Sequence, residues 1–99
     1  MALQGETREE IRINVRRPKH YRVIMHNDDF TSMEFVVQIL IDIFHKNITE
    51  AQRLMMMVHE GGRAAVGMYP YDIAMTKVQA AAVRAKDNGF PFRMTVEEA

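Results

Sequence analysis

Asn27, Asp28 and Asp29 form a polar run between two apolar stretches of the sequence. Their side chains supply two carboxylates and one amide, which accept hydrogen bonds and attract cations. A helical pattern begins a few residues later, and the positive partial charge at a helix N-terminus stabilises carboxylates that stand before it. The run is therefore a candidate site for a cation or for a group rich in hydrogen-bond donors. The alternative is turn chemistry alone, because Asn and Asp are favoured in Asx-turns and before helices.

His59 is the second candidate. It follows Met55 by four positions near the end of an apolar helical stripe, and Gly61-Gly62 comes directly after it. A neutral imidazole would add a nitrogen acceptor to the carboxylates and the amide. The alternative is that His59 only caps the carboxyl end of its helix.

The same residue types raise the question of a metal site. His26, Asp28, Asp29 and His59 could each supply a ligand, but no two of them form a helical i, i+3 or i+4 pair such as metal-binding helices use. We therefore predict no metal and no other cofactor.

The elements on either side of the polar run are predicted from hydrophobic periodicity. Residues 19–25 alternate as a strand with one buried face does. Thr31 and Glu34 fit a capping box, with Phe30 and Phe35 as a hydrophobic staple that closes the helix start. The apolar face of this first helix has the spacing 0, 3, 4, 7, 8 and consists of Val36, Ile39, Leu40, Ile43 and Phe44.

A second helix follows the break at Lys46-Asn47. Thr49 and Gln52 fit another capping box, and Gly61-Gly62 ends the pattern. The apolar positions of this helix are Ala51, Leu54, Met55 and Val58. The run Met55 to Met57 is read as core filling, because methionine adapts to irregular gaps. The two helices form a predicted αα-hairpin.

The remaining pattern predicts a strand, a helix and a strand. Residues 63–68 form the second strand, with Ala64, Val66 and Met68 on one face. Pro70 suits the first turn of a helix that ends before Gly89. This third helix carries on one side Ala74, Val78, Ala81, Ala82 and Ala85. Phe92, Met94 and Val96 alternate in a last strand. The predicted fold is an α+β domain of two layers in the order β-α-α-β-α-β, with helices mainly on one face; the spacing leaves parallel and antiparallel pairing open.

Composition narrows the class of protein. The 99 residues suffice for one domain, and 13 basic and 13 acidic residues cancel, so no nucleic-acid or membrane footprint is predicted. Residues 1–18 mix charges without a sustained apolar period and are predicted to be a flexible tail before a core of residues 19–99. The chain has no cysteine, and the first twenty residues lack an apolar signal region. A cytoplasmic monomer is the expectation.

The candidate residues do not support an enzyme or an RNA-binding module. An enzyme would use His59 as general base with Asp28 or Asp29 as its orienting group, but no cysteine is present and Ser32 lacks a glycine-rich elbow around it. An RNA-associated module would need a basic face and a set of stacking aromatic residues, and the sequence predicts neither. We therefore predict that the chain is not an enzyme and that it binds neither nucleic acid nor membrane.

Three motifs together resemble one family. NDDFTSMEFV at residues 27–36, LMMMVHEGGRAAVG at residues 54–67 and TKV at residues 76–78 look like ClpS, the bacterial adaptor that reads protein N-termini for the ClpA-ClpP protease. The resemblance extends from about Tyr21 to the C-terminus. Ser32 departs from the proline that is usual at its position, and Phe92 departs from the aliphatic residue that is common near the pocket rim.

The resemblance implies an antiparallel sheet and a ligand with a free α-amino group followed by a large hydrophobic side chain, from Leu, Phe, Tyr or Trp. It implies that the ammonium is surrounded by Asn27, Asp28, Asp29 and His59. It implies a hydrophobic pocket formed by Thr31, Met33, Val36, Met55, Val58 and Phe92. It also implies that Asp72 and Lys77 dock the N-terminal domain of a ClpA-type unfoldase; the alternative is that both are solvated charges on an exposed helical face.

Overall fold

The computed structural model describes residues 19–99, so the predicted tail at residues 1–18 lies outside the described part. The elements follow the order β-α-α-β-α-β. They are β1 (His20–His26), α1 (Met33–Asp42), α2 (Ile48–Gly61), β2 (Arg63–Pro70), α3 (Tyr71–Asp87) and β3 (Arg93–Glu98). Predicted and observed bounds differ by one or two residues at most termini, and the predicted α+β order is confirmed.

The three strands form one antiparallel sheet in the order β2-β1-β3. The first strand in the chain is therefore the central one, and both later strands pair with it. His26 at the end of β1 lies opposite Arg63, the first residue of β2, and opposite Arg93, the first residue of β3. The antiparallel pairing that the family resemblance implies is confirmed.

The core lies between one face of this sheet and the three helices. Val23 and Met25 of β1 and Ile39 and Leu40 of α1 are fully buried in it. Ile24 points to the opposite face, yet it is only 2% exposed and lies outside this cluster. The prediction that β1 has a single buried face is therefore incomplete, because the central strand of a sheet is sheltered by a neighbour on either side.

A β-bulge changes the inward face of β2. Val23 pairs with Gly67 and Ile24 pairs with Ala65, so Val66 is an extra residue in the ladder. Ala64 and Val66 are buried as predicted, but Met68 is 57% exposed. The prediction that Met68 shares a face with Ala64 and Val66 is wrong, because the extra residue reverses the alternation beyond it.

The helix starts differ from the predicted capping boxes. The N-cap of α1 is Ser32, whose hydroxyl accepts from the Phe35 N–H at 3.1 Å, and the N-cap of α2 is Asn47, whose side chain accepts from the Glu50 N–H at 2.8 Å. Thr31 and Thr49 are not the caps. Phe30 is 77% exposed, so the predicted staple with Phe35 is also wrong.

Helix α3 packs its alanine face on the sheet and reaches the end of α1. Ala74, Ala81 and Ala85 are buried, whereas Ala82, predicted on the same side, is exposed. Pro70 is the N-cap of this helix and precedes its first turn, and Gly89 follows the last turn with a φ of 74°. No helix within residues 19–99 is long and apolar enough to cross a membrane.

Candidate functional site

A backbone hydrogen bond joins the polar run to the end of α2. The Asn27 N–H donates to the Gly62 carbonyl at 2.9 Å, directly after β1 ends. Gly62 ends α2 in the left-handed conformation, with a φ of 87°, and its own N–H donates to the Val58 carbonyl. The last turn of α2, which carries His59, is thereby held beside the polar run.

Asp28 organises the turn between β1 and α1. Its Oδ1 accepts from the N–H groups of Phe30 at 2.8 Å and Thr31 at 2.7 Å, and its Oδ2 accepts from the Thr31 hydroxyl at 2.7 Å. Burial opposes ionisation of this carboxyl, but the hydrogen bonds from Thr31 and Phe30 outweigh it and hold the pKa of Asp28 below its usual value. The predicted turn chemistry is therefore present at Asp28.

The turn, α1 and α2 enclose a cavity of about 390 Å³. Its lining consists of Asn27, Asp28, Asp29, Phe30, Thr31, Ser32, Met33, Val36, Met55, Val58 and His59. Val36 and Val58 are buried and supply an apolar floor, while the residues of the turn and His59 supply the polar part of the lining. The volume falls at the lower end of the range of about 300–1,000 Å³ that small-molecule sites occupy.

Asn27, Asp29 and His59 bring three kinds of acceptor to the exposed side of the cavity. All three residues are exposed, and within residues 19–99 their side chains form no hydrogen bond with the rest of the protein. The alternative prediction, that His59 caps the carboxyl end of α2, is wrong. Gly62 is the C-cap, and its N–H donates to the Val58 carbonyl. An amide, a carboxylate and an imidazole are thus available to a ligand.

Methionine borders the apolar part of the cavity on two sides. Met33 on α1 is 45% exposed at the mouth, and Met55 on α2 is half-buried. Both also line an adjoining cavity of about 450 Å³ between α1 and α2, together with Glu34 and Gln52. Met33 therefore has free space on two sides, which a flexible thioether side chain can use.

Phe92 and two residues of the turn depart from the predicted lining. Phe92 is buried against Phe35, with 6.1 Å between ring centroids, and it is outside the cavity lining. Phe30 and Ser32 line the cavity, although neither was singled out as a site residue. An exposed aromatic residue inside a polar turn was the available signal for Phe30.

Asp72 and Lys77 lie apart from the cavity, on α3. The Asp72 side chain is exposed. The Lys77 ammonium donates to the Ile43 carbonyl at 2.8 Å and lies 5.6 Å from the Phe44 ring centroid and 5.4 Å from that of Tyr69. Lys77 is thus engaged with the end of α1 and is not simply a solvated charge.

Metal-binding residues do not cluster in the described part of the chain. Within residues 19–99, no three His, Asp or Glu side chains are placed to hold a metal ion.

Comparison with known proteins places these features in a family. The family model described as "ATP-dependent Clp protease adaptor protein ClpS" matches residues 16–95. The ClpS adapter protein of Wolinella succinogenes is 45% identical over 95 residues, which cover 96% of this chain and 91% of the relative. That of Treponema denticola is 53% identical over 81 residues, which cover 82% and 80%.

A solved structure matches the fold as well as the sequence. Agrobacterium tumefaciens ClpS2 bound to L-phenylalaninamide superposes with a TM-score of 0.81 at 40% identity, and the match covers 84% of this chain and all of that one. The family model, the relatives and the shared fold agree with the motifs at residues 27–36 and 54–67. This chain belongs to the ClpS family of ATP-dependent Clp protease adaptor proteins.

Proposed function

We propose that this protein binds the free N-terminus of proteins that begin with Leu, Phe, Tyr or Trp and delivers them to the ClpA-ClpP protease. One observation carries the proposal. Asn27, Asp29 and His59 have acceptors without a protein partner among residues 19–99, and they line one cavity together with the apolar floor of Val36 and Val58. A free N-terminus with a large first side chain presents the matching pair of groups, a cluster of N–H donors and an apolar body.

The polar side of the cavity suits an α-ammonium group. An α-amino group has an ordinary pKa of about 7.7–8.0, so it is largely cationic near neutrality. It then carries donors and no acceptor, which calls for the amide, carboxylate and imidazole groups that surround the cavity. The hydrogen-bonded Asp28 adds negative charge and keeps the turn in place. The amine-binding role of Asn27, Asp28, Asp29 and His59 rests on this chemistry.

The apolar side suits one large side chain. Burying a Leu- or Phe-sized group contributes roughly 1.5–3 kcal/mol. Two or three charge-assisted hydrogen bonds at about 1.5–3 kcal/mol each bring the gross total to roughly 5–12 kcal/mol before ordering costs. These terms are consistent with a binding free energy of about −8 kcal/mol, which corresponds to a dissociation constant of about 1 μM. An adaptor that releases its cargo needs affinity of this order.

The ligand of the Agrobacterium tumefaciens relative supports the same assignment. L-Phenylalaninamide, bound by that protein, combines a free α-amino group with a benzyl side chain and has no carboxylate. It therefore resembles the first residue of a polypeptide. We extend this ligand class to the present chain because the cavity offers acceptors and an apolar floor together.

Delivery requires a second surface, which we assign to α3. By family resemblance Asp72 and Lys77 contact the N-terminal domain of the unfoldase. Asp72 is exposed and available for such a contact. Lys77 is committed to the Ile43 carbonyl, so its contribution includes holding α1 against α3.

Calorimetric titration of matched peptides tests the proposal. A Leu-starting peptide should bind with micromolar affinity, while its N-acetylated form, which lacks the charge and two donors, should bind at least about a hundredfold more weakly. Peptide recovered after incubation should be intact. Equal affinity of the acetylated peptide would refute amine recognition, and shortened peptide would favour an enzyme.

A further inference from the structure

The sheet has a second face, turned away from the helices, that gathers basic side chains. Directly paired residues of neighbouring strands project on the same side of a sheet. His26 pairs with Arg63 on one side and with Arg93 on the other, and Arg22 pairs with Glu97. We use the term open face for the surface formed by Arg22, His26, Arg63, Arg93, Thr95 and Glu97.

The arginines of the open face are distant in sequence and come together only through strand pairing. Arg22 belongs to β1, Arg63 to β2 and Arg93 to β3. A neutral overall composition therefore does not exclude a locally basic surface. None of the described helices packs here, and Arg63 and Arg93 are exposed.

One carboxylate already occupies part of this surface. The two carboxylate oxygens of Glu97 each lie 3.3 Å from Nη2 of Arg63, and one lies 3.7 Å from Nη1 of Arg22. Within residues 19–99 Arg93 forms no ion pair. Three arginines against one glutamate leave two positive charges, of which Arg93 is the least compensated. Glu97 thus shows that the spacing of these arginines accepts a carboxylate.

His26 lies between Arg63 and Arg93 in the sheet. Its Nε2 is 2.7 Å from the Thr95 hydroxyl, and burial together with the charges of Arg93 and Arg63 lowers the pKa of His26 despite Glu97. Burial is the largest cause of this pKa shift, and the two guanidinium groups add to it. Strand pairing itself places Arg63 and Arg93 on either side of His26, so the potential along this row is positive at neutral pH.

We propose that the open face docks an acidic polypeptide segment of a partner protein, whose carboxylates contact Arg93 and Arg63. Arginine binds carboxylates through its planar fork of N–H donors. Nη2 of Arg63 already lies 3.3 Å from both carboxylate oxygens of Glu97. A nucleic-acid partner fits less well. The whole chain is neutral, which removes long-range attraction for a polyphosphate, and the described strands place no Phe, Tyr or Trp on this face for base stacking.

Fluorescence anisotropy with a labelled, N-acetylated hexaglutamate amide tests the proposal on the full chain. The acetyl group keeps this probe out of the candidate amine site, so the result is independent of the proposed function. We expect binding that weakens several-fold when the salt concentration rises from about 50 mM to about 300 mM. The double variant R63Q/R93Q should lose about tenfold in affinity for the probe.

A charge-matched control separates a local surface from a general charge effect. The double variant R53Q/K86Q makes the same change in net charge at exposed positions on α2 and α3 and should bind hexaglutamate like the parent chain. Both double variants should retain the affinity of the parent for a Leu-starting peptide, which confirms that they are folded. Equal losses in the two double variants would overturn the proposal. Tighter binding of oligothymidylate than of hexaglutamate, lost in R63Q/R93Q, would overturn it too and would identify a nucleic-acid surface.

Discussion

The Asp28 carboxylate holds the turn in place, and Asp28 also lines the cavity. Three donors, from Phe30 and Thr31, use its two oxygens. Asp29 is exposed and forms no hydrogen bond within the described residues. The two neighbouring carboxylates therefore have different duties, the first mainly shaping the turn and the second mainly available to a ligand.

Substitution of each aspartate by asparagine separates these duties. Asp28→Asn leaves one carbonyl oxygen for three donors, so the free energy of unfolding at pH 7 should fall by about 1–2 kcal/mol. Asp29→Asn should change it by less than about 0.5 kcal/mol, as is usual for an exposed position. Urea denaturation measures both. Equal losses would contradict the assignment of the turn to Asp28.

The pH dependence of that difference follows from the pKa of Asp28. Burial raises and the hydrogen bonds lower this pKa, and the net result is a folded value below the ordinary 3.8. The stabilisation is therefore fully present above the ordinary value and is lost as the pH falls through the lower, folded value. The gap between the parent chain and Asp28→Asn should shrink from about pH 4 to about pH 2. A gap that stays constant over this range, measured by urea denaturation, would show that ionisation of Asp28 does not matter.

Met33 is the residue that we expect to set selectivity. It lines the cavity and is 45% exposed. We expect its side chain to crowd a first residue that branches at Cβ more than one that branches at Cγ. Hydrophobicity discriminates weakly, because one methylene contributes only about 1–3 kcal/mol in an apolar pocket. Met33→Ala should raise affinity for Ile- and Val-starting peptides and cost Leu-starting peptides little, as measured by calorimetry.

Met56 offers a matched control for this substitution. It is 41% exposed on α2 and does not line the cavity. Met56→Ala should leave the ratio of Leu to Ile affinity unchanged. If Met33→Ala also leaves that ratio unchanged and weakens all peptides alike, Met33 is only part of the packing.

At the scale of the elements, the N-caps of α1 and α2 differ from the predicted ones, and mutation can test which residues stabilise the helix starts. Ser32 and Asn47 accept from backbone N–H groups, whereas Thr49, the predicted cap, lies inside α2. Ser32→Ala and Asn47→Ala should each lower the free energy of unfolding by about 1 kcal/mol, and Thr49→Ala by less than about 0.5 kcal/mol. A larger loss for Thr49→Ala than for Asn47→Ala in thermal or urea unfolding would restore the predicted capping box.

Lys77 connects α3 with the carboxyl end of α1. The first turn of the same helix α1 supplies Met33 and Val36 to the cavity. Lys77→Met keeps the aliphatic stem but leaves the Ile43 carbonyl without its partner and removes the cation from the rings of Phe44 and Tyr69. We expect the free energy of unfolding to fall by about 1–3 kcal/mol.

Lys86→Met, on the exposed side of the same helix, is the control for Lys77→Met and should leave stability nearly unchanged. Asp72→Asn should reduce binding of the unfoldase N-terminal domain without a loss of stability, because the side chain is exposed. Full stability of Lys77→Met in urea would mean that Lys77 acts only in docking.

For the whole molecule, delivery is expected to need more than the described core. Through Lys19 the chain carries five basic and three acidic residues, a net charge of 5 − 3 = +2, and its first eighteen residues show no apolar period. Deleting residues 1–17 should leave the affinity for a Leu-starting peptide intact and slow degradation of a Leu-starting substrate by ClpA-ClpP. Equal degradation rates with and without these residues would show that the segment is only a spacer.

The architecture also explains how a small chain assembles its site. The central strand β1 ends at His26, and the next residue, Asn27, is tied to the end of α2 by one backbone hydrogen bond. Helices α1 and α2 complete the walls. The cavity therefore depends on elements that are separate in sequence, and disturbance of the sheet or of the helix pair will reach it.

Local patterns in the sequence determined the kinds of elements and their order, and the resemblance to a family supplied most of the candidate site residues. The period of Val36, Ile39 and Leu40 predicted α1, and Gly61-Gly62 predicted the end of α2, because these features reflect interactions within a few residues of one another. Ten residues were predicted for the amine site and the hydrophobic pocket, and two more for the docking surface. Nine of the ten line the cavity. Phe92 is the exception.

Tertiary structure alone decided the rest. The bulge at Val66 turned Met68 outward, and packing drew Lys77 onto the Ile43 carbonyl. Strand pairing also brought Arg22, Arg63 and Arg93 to one face of a neutral chain. Each outcome depends on contacts between residues far apart in sequence, where the free energies of pairing and burial outweigh the local preferences that a sequence pattern records.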